Sequence, residues 1–388
     1  MRLFLPIAAL LGLLAYQRPE WVETLDSGAR RLASRLGDLG SSLGIGPERG
    51  SIAERARPAE PDRAAALAVL GRAAEARQDA FVAGPGEAAT ARERVQALLR
   101  SAAATMAGSE ALGELRAMQE ARARMAELRE QAAAARISGS GDVAALEAQL
   151  SRAGAEAERL TGALVERLAG LGVPLLREAA EGLAVSVNGD DVVALLGAYA
   201  NVERLEAGLR GTVSGSQESE AVVRRYYAIH ATLLAVLETV QGEVVSRIDT
   251  LYLPRLDAVD RETRKLRGDA QARLRGLRDP GLRASLEANL RTQDMTLRAT
   301  DLYRRYLQDQ RSSLAQALDR TRAARGVADN TARTATLALD VAGMVRSTDR
   351  DFGAVMAVRP PVIVPFEGEA LRREFEGLSR RLGQTPTS

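Results

Sequence analysis

Cysteine is absent from this 388-residue chain, histidine and lysine occur once each as His230 and Lys265, and aromatic residues make up only 3%. Each scarcity removes chemistry. Without thiols there is no disulfide framework, thiolate metal site or cysteine nucleophile. One histidine cannot build a multi-histidine zinc site, and Tyr227 stands where the Glu-x-x-His pair of a di-iron bundle needs glutamate. A phosphate-binding P-loop ends in Gly-Lys-Ser/Thr, whereas Lys265 lies in Thr263-Arg264-Lys265-Leu266 with no glycine loop before it. The Gly-x-Ser-x-Gly match at Gly40-Ser41-Ser42-Leu43-Gly44 closes a helix instead of following a strand, so it lacks the setting of a nucleophile elbow. Gly50 breaks the dinucleotide-loop spacing begun by Gly44-Ile45-Gly46. We therefore expect no cofactor, no metal and no small-molecule ligand. Only carboxylate chemistry survives, and here Asp and Glu alternate with Arg along helices, as on solvated faces.

Long apolar runs are scarce too, with one exception at the start of the chain. Leu3 to Tyr16, LFLPIAALLGLLAY, follows Met1-Arg2 and is closed by Arg18, Pro19 and Glu20. The run is shorter than the roughly 20 residues of a spanning helix and close to a signal-peptide core. Leu13 occupies a position where cleavage wants a small residue, so residues 1–17 are expected to be an uncleaved signal-anchor in preference to a removed signal peptide. A helix on a globular surface would show a polar stripe, which this run lacks. Arg18, Arg30, Arg31 and Arg35 follow the run, interleaved with acids, and weaken the orientation signal. The leader-like start favours a periplasmic body on the bacterial inner membrane; a cytoplasmic body or a secreted soluble protein stays open.

What is abundant is Ala, Arg, Leu and Glu, the composition of long helices. The expected fold is all-α: an elongated helical bundle or coiled-coil body behind a single N-terminal hydrophobic helix. Residues 18–61 are expected to hold an amphipathic helix (Trp21 to Leu43) and a Pro/Gly linker (Gly44 to Asp62). Residues 62–210 form an Ala/Arg-rich hairpin region that opens on Asp62 as N-cap, with one long helix over 87–136 and a turn at Ser138-Gly139-Ser140-Gly141-Asp142. Residues 211–219 are a linker, 220–358 a C-terminal long-helix bundle, and 359–388 a proline-rich strap and terminal helix. Asp279-Pro280 starts a helix towards Arg325 and another begins near Asp329; Pro254 is expected to kink or end its helix.

Two sets of residues stand out as candidate sites. Val222, Tyr226, Ile229, Leu233, Val236 and Val240 step by four and three, the seam of a helix packed on a partner or on another part of the chain. His230, Glu238, Gln241 and Glu243 interrupt that stretch, which argues for a packed seam and against a span in lipid. His230 is expected to be buried and hydrogen-bonded. The second set is basic: residues 255–325 carry 17 basic and 10 acidic side chains, a net of +7 in a chain of net +2. Its densest cluster is Arg261, Arg264, Lys265, Arg267, Arg273, Arg275 and Arg278. No aromatics interleave, so a partner's acidic face or solvent is preferred to nucleic acid.

These features suggest a non-enzymatic, membrane-anchored helical scaffold or interaction protein of the bacterial envelope, touching the membrane through residues 3–16 and binding other proteins or itself. The alternative is a helical membrane-active protein, pore-forming or membrane-remodelling, against which stands the lack of a second long apolar hairpin. A carboxylate-dependent enzyme ranks third.

Overall fold

The computed structural model describes residues 50–84, 86–139, 142–214, 220–337 and 374–379. The opening apolar run, the Trp21–Leu43 stretch and the strap around Pro360 lie outside them. Among the described residues every regular element is helical: α1 (Ile52–Arg55), α2 (Arg63–Val82), α3 (Ala88–Met106), α4 (Glu110–Ser138), α5 (Val143–Gly170), α6 (Arg177–Val185), α7 (Gly189–Ser214), α8 (Glu220–Arg247), a π-helical turn (Ile248–Tyr252), α9 (Leu253–Gly276) and α10 (Pro280–Leu337), with a helical segment at 374–379. The protein is all-α.

Several helices start where side chains satisfy otherwise orphaned backbone donors. Asp62 accepts from the Ala65 N–H at 3.0 Å, Asp142 from Ala145 at 3.0 Å and Asp279 from Leu282 at 2.8 Å. Gly139, at φ +63°, ends α4 in the left-handed conformation that glycine adopts without steric cost. Helices α4 and α5 lie antiparallel, with Arg136 paired to Glu147 at one end and Arg167 to Glu110 at the other, and Leu112, Leu115 and Met118 of α4 share a core with Leu160, Leu164 and Leu168 of α5.

Other elements depart from the sequence expectation. The Gly44–Asp62 linker contains α1, where Ser51 and Glu54 form a capping box, Ile52 and Ala53 are buried, and the Ile52 N–H donates to Glu243 Oε1 at 2.5 Å. The long helix over 87–136 is broken at Ala107-Gly108: Ser109 restarts it by accepting from Leu112, and Asn201 Nδ2 donates to the freed carbonyls of Met106 and Gly108 at 2.8 and 2.9 Å. Any side chain at 108 would meet the Ala59 carbonyl at 2.8 Å. Helix α7 continues through Ser214 into the stretch expected as a linker. One hydrophobic core then takes residues from α1 to α10, so among the described residues 62–210 and 220–337 are not separately packed.

Pro254 neither ends nor breaks its helix. The π turn precedes it directly and widens the hydrogen-bond ladder where proline lacks a donor and its ring would crowd the preceding turn, so α8, the π turn and α9 run on as one rod. Helix α10 likewise spans 58 residues without restarting at Asp329, whose side chain pairs with Arg77 instead. The two rods lie antiparallel, matched by Glu238 with Arg322, Asp249 with Arg311 at 2.8 Å, Asp257 with Arg304 at 2.8 Å and Arg267 with Asp294 at 2.8 Å. Such exposed pairs add little stability and act mainly on register. The driving force is apolar burial, at about 1.5–3 kcal/mol for each fully buried Leu, Val or Ile.

The 374–379 segment docks through Phe375 and Leu378, both buried. Its Phe375 ring lies 3.6 Å from that of Tyr303, whose hydroxyl is 2.9 Å from Ser379 and accepts the Val187 N–H at 2.5 Å.

Candidate functional site

Five of the six seam residues are inside the protein. Tyr226, Ile229, Leu233, Val236 and Val240 are at most 4% exposed, whereas Val222 is 41% exposed and Val223 takes its place in the packing. The facing surfaces belong to this same chain: α8 packs on α10, α7, α3 and α2. By length and composition the rod Val222–Gly276 is able to cross a membrane, and 72% of its most apolar window is buried in protein. These five seam residues are therefore occupied by intramolecular packing.

His230 and Glu206 sit at the wide side of that seam. Nδ1 of His230 lies 3.1 Å from Glu206 Oε1, and the Tyr226 hydroxyl donates to the same oxygen at 2.7 Å, all within buried side chains. Burial pushes the Glu206 carboxyl up, but the hydrogen bonds from His230 and Tyr226, with the charge of Arg210 nearby, outweigh it and hold the group below its ordinary value. The histidine is buried, as anticipated, with its Nδ1 set against a carboxylate oxygen. Among the described residues no group of three or more metal-ligating side chains converges.

The basic cluster occupies the outer part of α9 and the turn into α10. From residue 261 to 298, only Thr263, Ala270 and Thr296 are buried, so this end of the rod pair stands clear of the core. It carries ten basic and five acidic side chains. Arg264 is tied to Asp260 at 2.7 Å and Arg267 to Asp294 at 2.8 Å. Among the described residues no carboxylate pairs with Arg261, Lys265, Arg273, Arg275 or Arg278. Leu266 and Leu282 are 48% and 58% exposed on the same end. The structure thus brings the predicted basic residues together on one projecting element, with two apolar side chains among them.

A second feature is a groove of about 590 Å³ bounded by α2, α3, α8 and α10. Its floor is made of small or apolar buried side chains, Ala74, Leu99, Ala228 and Ala231. On the inner wall Arg77 donates to Thr232 Oγ1 at 3.1 Å and to Asp329. Burial lowers Arg77 below its ordinary value even though Asp329 opposes the shift. Arg325 Nε lies 3.1 Å from Glu238 and 3.9 Å from Asp329. At the rim, Arg333 stacks over the Phe81 ring, with Cζ 3.9 Å from the centroid, and the exposed Arg92 of α3 lines the same groove.

No family model, curated protein or solved structure matches this chain.

The groove was not foreseen from the sequence. Its arginines stand at 77, 92, 325 and 333, each indistinguishable in sequence from the many arginines on solvated faces. The available signal was the run of alanines on the inward faces of α2 and α8, which leaves space beside the core, and that signal has meaning only once the four helices are in place.

Proposed function

We propose that this protein is a non-enzymatic, membrane-anchored helical scaffold of the bacterial envelope, tethered by residues 3–16, and that the outer end of the α9–α10 pair is its contact surface for an acidic partner protein. The observation that carries the reading is the set of five cations, Arg261, Lys265, Arg273, Arg275 and Arg278, exposed on a projecting helical element without carboxylate partners among the described residues. Exposed charge of one sign steers encounter with surfaces of the other sign. Leu266 and Leu282, at 48% and 58% exposure, supply apolar area for a contact to bury. The body behind this end is rigidified by its own core, which suits a scaffold.

The test is photo-cross-linking in the producing organism from positions 266 and 282 of the full chain, followed by identification of the adduct. A defined acidic protein captured at both positions, and lost when the five cations are reversed to Glu, supports the reading. Absence of any protein adduct at either position would overturn it.

Leucines among arginines also favour a second reading, in which the same end lies on an anionic bilayer as part of a membrane-remodelling activity. Adducts with phospholipid in place of protein, together with dye release from anionic liposomes by protein lacking residues 1–17, would select that reading.

A further inference from the structure

The groove between α2, α3, α8 and α10 has no role in the contact surface described above. Its volume of about 590 Å³ falls within the range of small-ligand sites, and such sites combine an apolar lining with a few placed polar groups. Here the two parts are segregated. Buried alanines and Leu99 form the floor, while charge is confined to the inner wall and the rim.

The charge is unbalanced. Four arginines and one aspartate line the groove. The inner two are already occupied, Arg77 by Asp329 and Thr232, and Arg325 by Glu238. Arg92 and Arg333 have no carboxylate partner among the described residues. Arg333 is held by its stack on Phe81, an arrangement that fixes the guanidinium plane while leaving its N–H edge open to an acceptor. A planar N–H fork so placed matches a carboxylate or phosphate, and the alanine floor below matches hydrocarbon.

We propose that this groove binds an anionic amphiphile: an acyl chain laid on the Ala74, Leu99, Ala228 and Ala231 floor, with its carboxylate or phosphate head held by Arg333 and Arg92. A cationic or neutral amphiphile of equal length gains the floor but not the rim. A free fatty acid and a phospholipid both present this chemistry.

The test uses the full chain in isolated membranes of the producing cells, with diazirine-bearing probes on matched hydrocarbon chains: a fatty acid, a phosphatidic acid and an alkylamine. Modified residues are mapped by mass spectrometry. The expected result is labelling of groove residues by at least one anionic probe, competed by dodecanoate, with the alkylamine labelling them about tenfold less. If the fatty acid alone labels the groove, the natural source is a free acid; if phosphatidic acid labels it, the source is a lipid headgroup. Arg92→Glu with Arg333→Glu, both on exposed side chains, is expected to cut groove labelling about tenfold at unchanged helicity, and the double Lys variant to retain most of it. Equal groove labelling by the alkylamine, wild-type labelling of the double Glu variant, or labelling by the anionic probes only outside the groove would each overturn the proposal.

Discussion

The Tyr252 hydroxyl donates to Asp191 Oδ2 at 2.7 Å, tying the π turn of the long rod to the first turn of α7. Arg247 Nε donates to the same oxygen at 2.9 Å, and its Nη2 to the Tyr252 hydroxyl at 2.8 Å. Burial disfavours the Arg247 cation, yet the Asp191 carboxylate beside it more than compensates and holds it above its ordinary value. The widened turn places Tyr252, rather than a neighbour, over this pair, and so the irregularity before Pro254 also locks α8 to α7. Tyr252→Phe keeps the ring packing and removes the bond. We expect a loss of about 1–2 kcal/mol in denaturant unfolding, with unchanged helicity in the folded state.

Glu206 gives a pH dependence whose sign follows from its environment. Its folded-state pKa lies below the ordinary 4.5, so the ionised form is favoured by folding. The stability it contributes is fully present above about 4.5 and is lost as pH falls through the depressed folded value. Glu206→Gln removes this contribution. The variant is expected to be less stable than wild type at pH 7, with a smaller further decline on acidification; parallel stability curves from pH 7 to pH 3 would contradict the assignment.

Two glycines with opposite surroundings call for opposite outcomes. A Cβ at Gly189 would lie 2.1 Å from the Leu183 carbonyl oxygen, a backbone atom that cannot step aside alone. Gly189→Ala is therefore expected to destabilise by about 1–3 kcal/mol. At Gly326, exposed in the interior of α10, a Cβ meets nothing within 4 Å. Gly326→Ala should stabilise by about 0.5–1 kcal/mol, because alanine loses less backbone freedom in a helix. Thermal melts of the two variants beside wild type measure both signs.

Reversal of Arg261, Lys265, Arg273, Arg275 and Arg278 to Glu affects exposed side chains without carboxylate partners among the described residues. Each change is expected to shift folding stability by no more than about 0.5 kcal/mol. Retention on an anion-carrying resin at low salt should fall sharply while the melting temperature stays close to wild type. A collapse of folding would show that this end is part of the core after all.

Legibility from sequence varied with the range of the interaction concerned. Asp62 and Asp279 were readable as caps because a cap joins residues three apart, and the chain reversal between α4 and α5 was readable because its glycines and serines are equally local. The Ser51-x-x-Glu54 capping box was equally local, but the surrounding prolines masked it. By contrast, the break at Gly108 depends on Ala59 and Asn201, and the continuity of α10 past Asp329 depends on Arg77. Neither partner is near in sequence. The basic cluster was legible because a run of arginines on one helix needs no partner to be seen.

The sequence by itself determined that this protein is all-α, which residues cap many of its helices, and where basic charge concentrates, since composition, helical periodicity and capping act within a few residues. Only the tertiary structure decided that the Tyr226–Val240 seam faces its own chain, that the helices on either side of 211–219 share one core, and that arginines 77 and 333 line one groove with an alanine floor. Those outcomes follow from which apolar faces bury one another, a choice among long-range partners that repeated Ala, Leu and Arg patterns leave degenerate until the whole core is assembled.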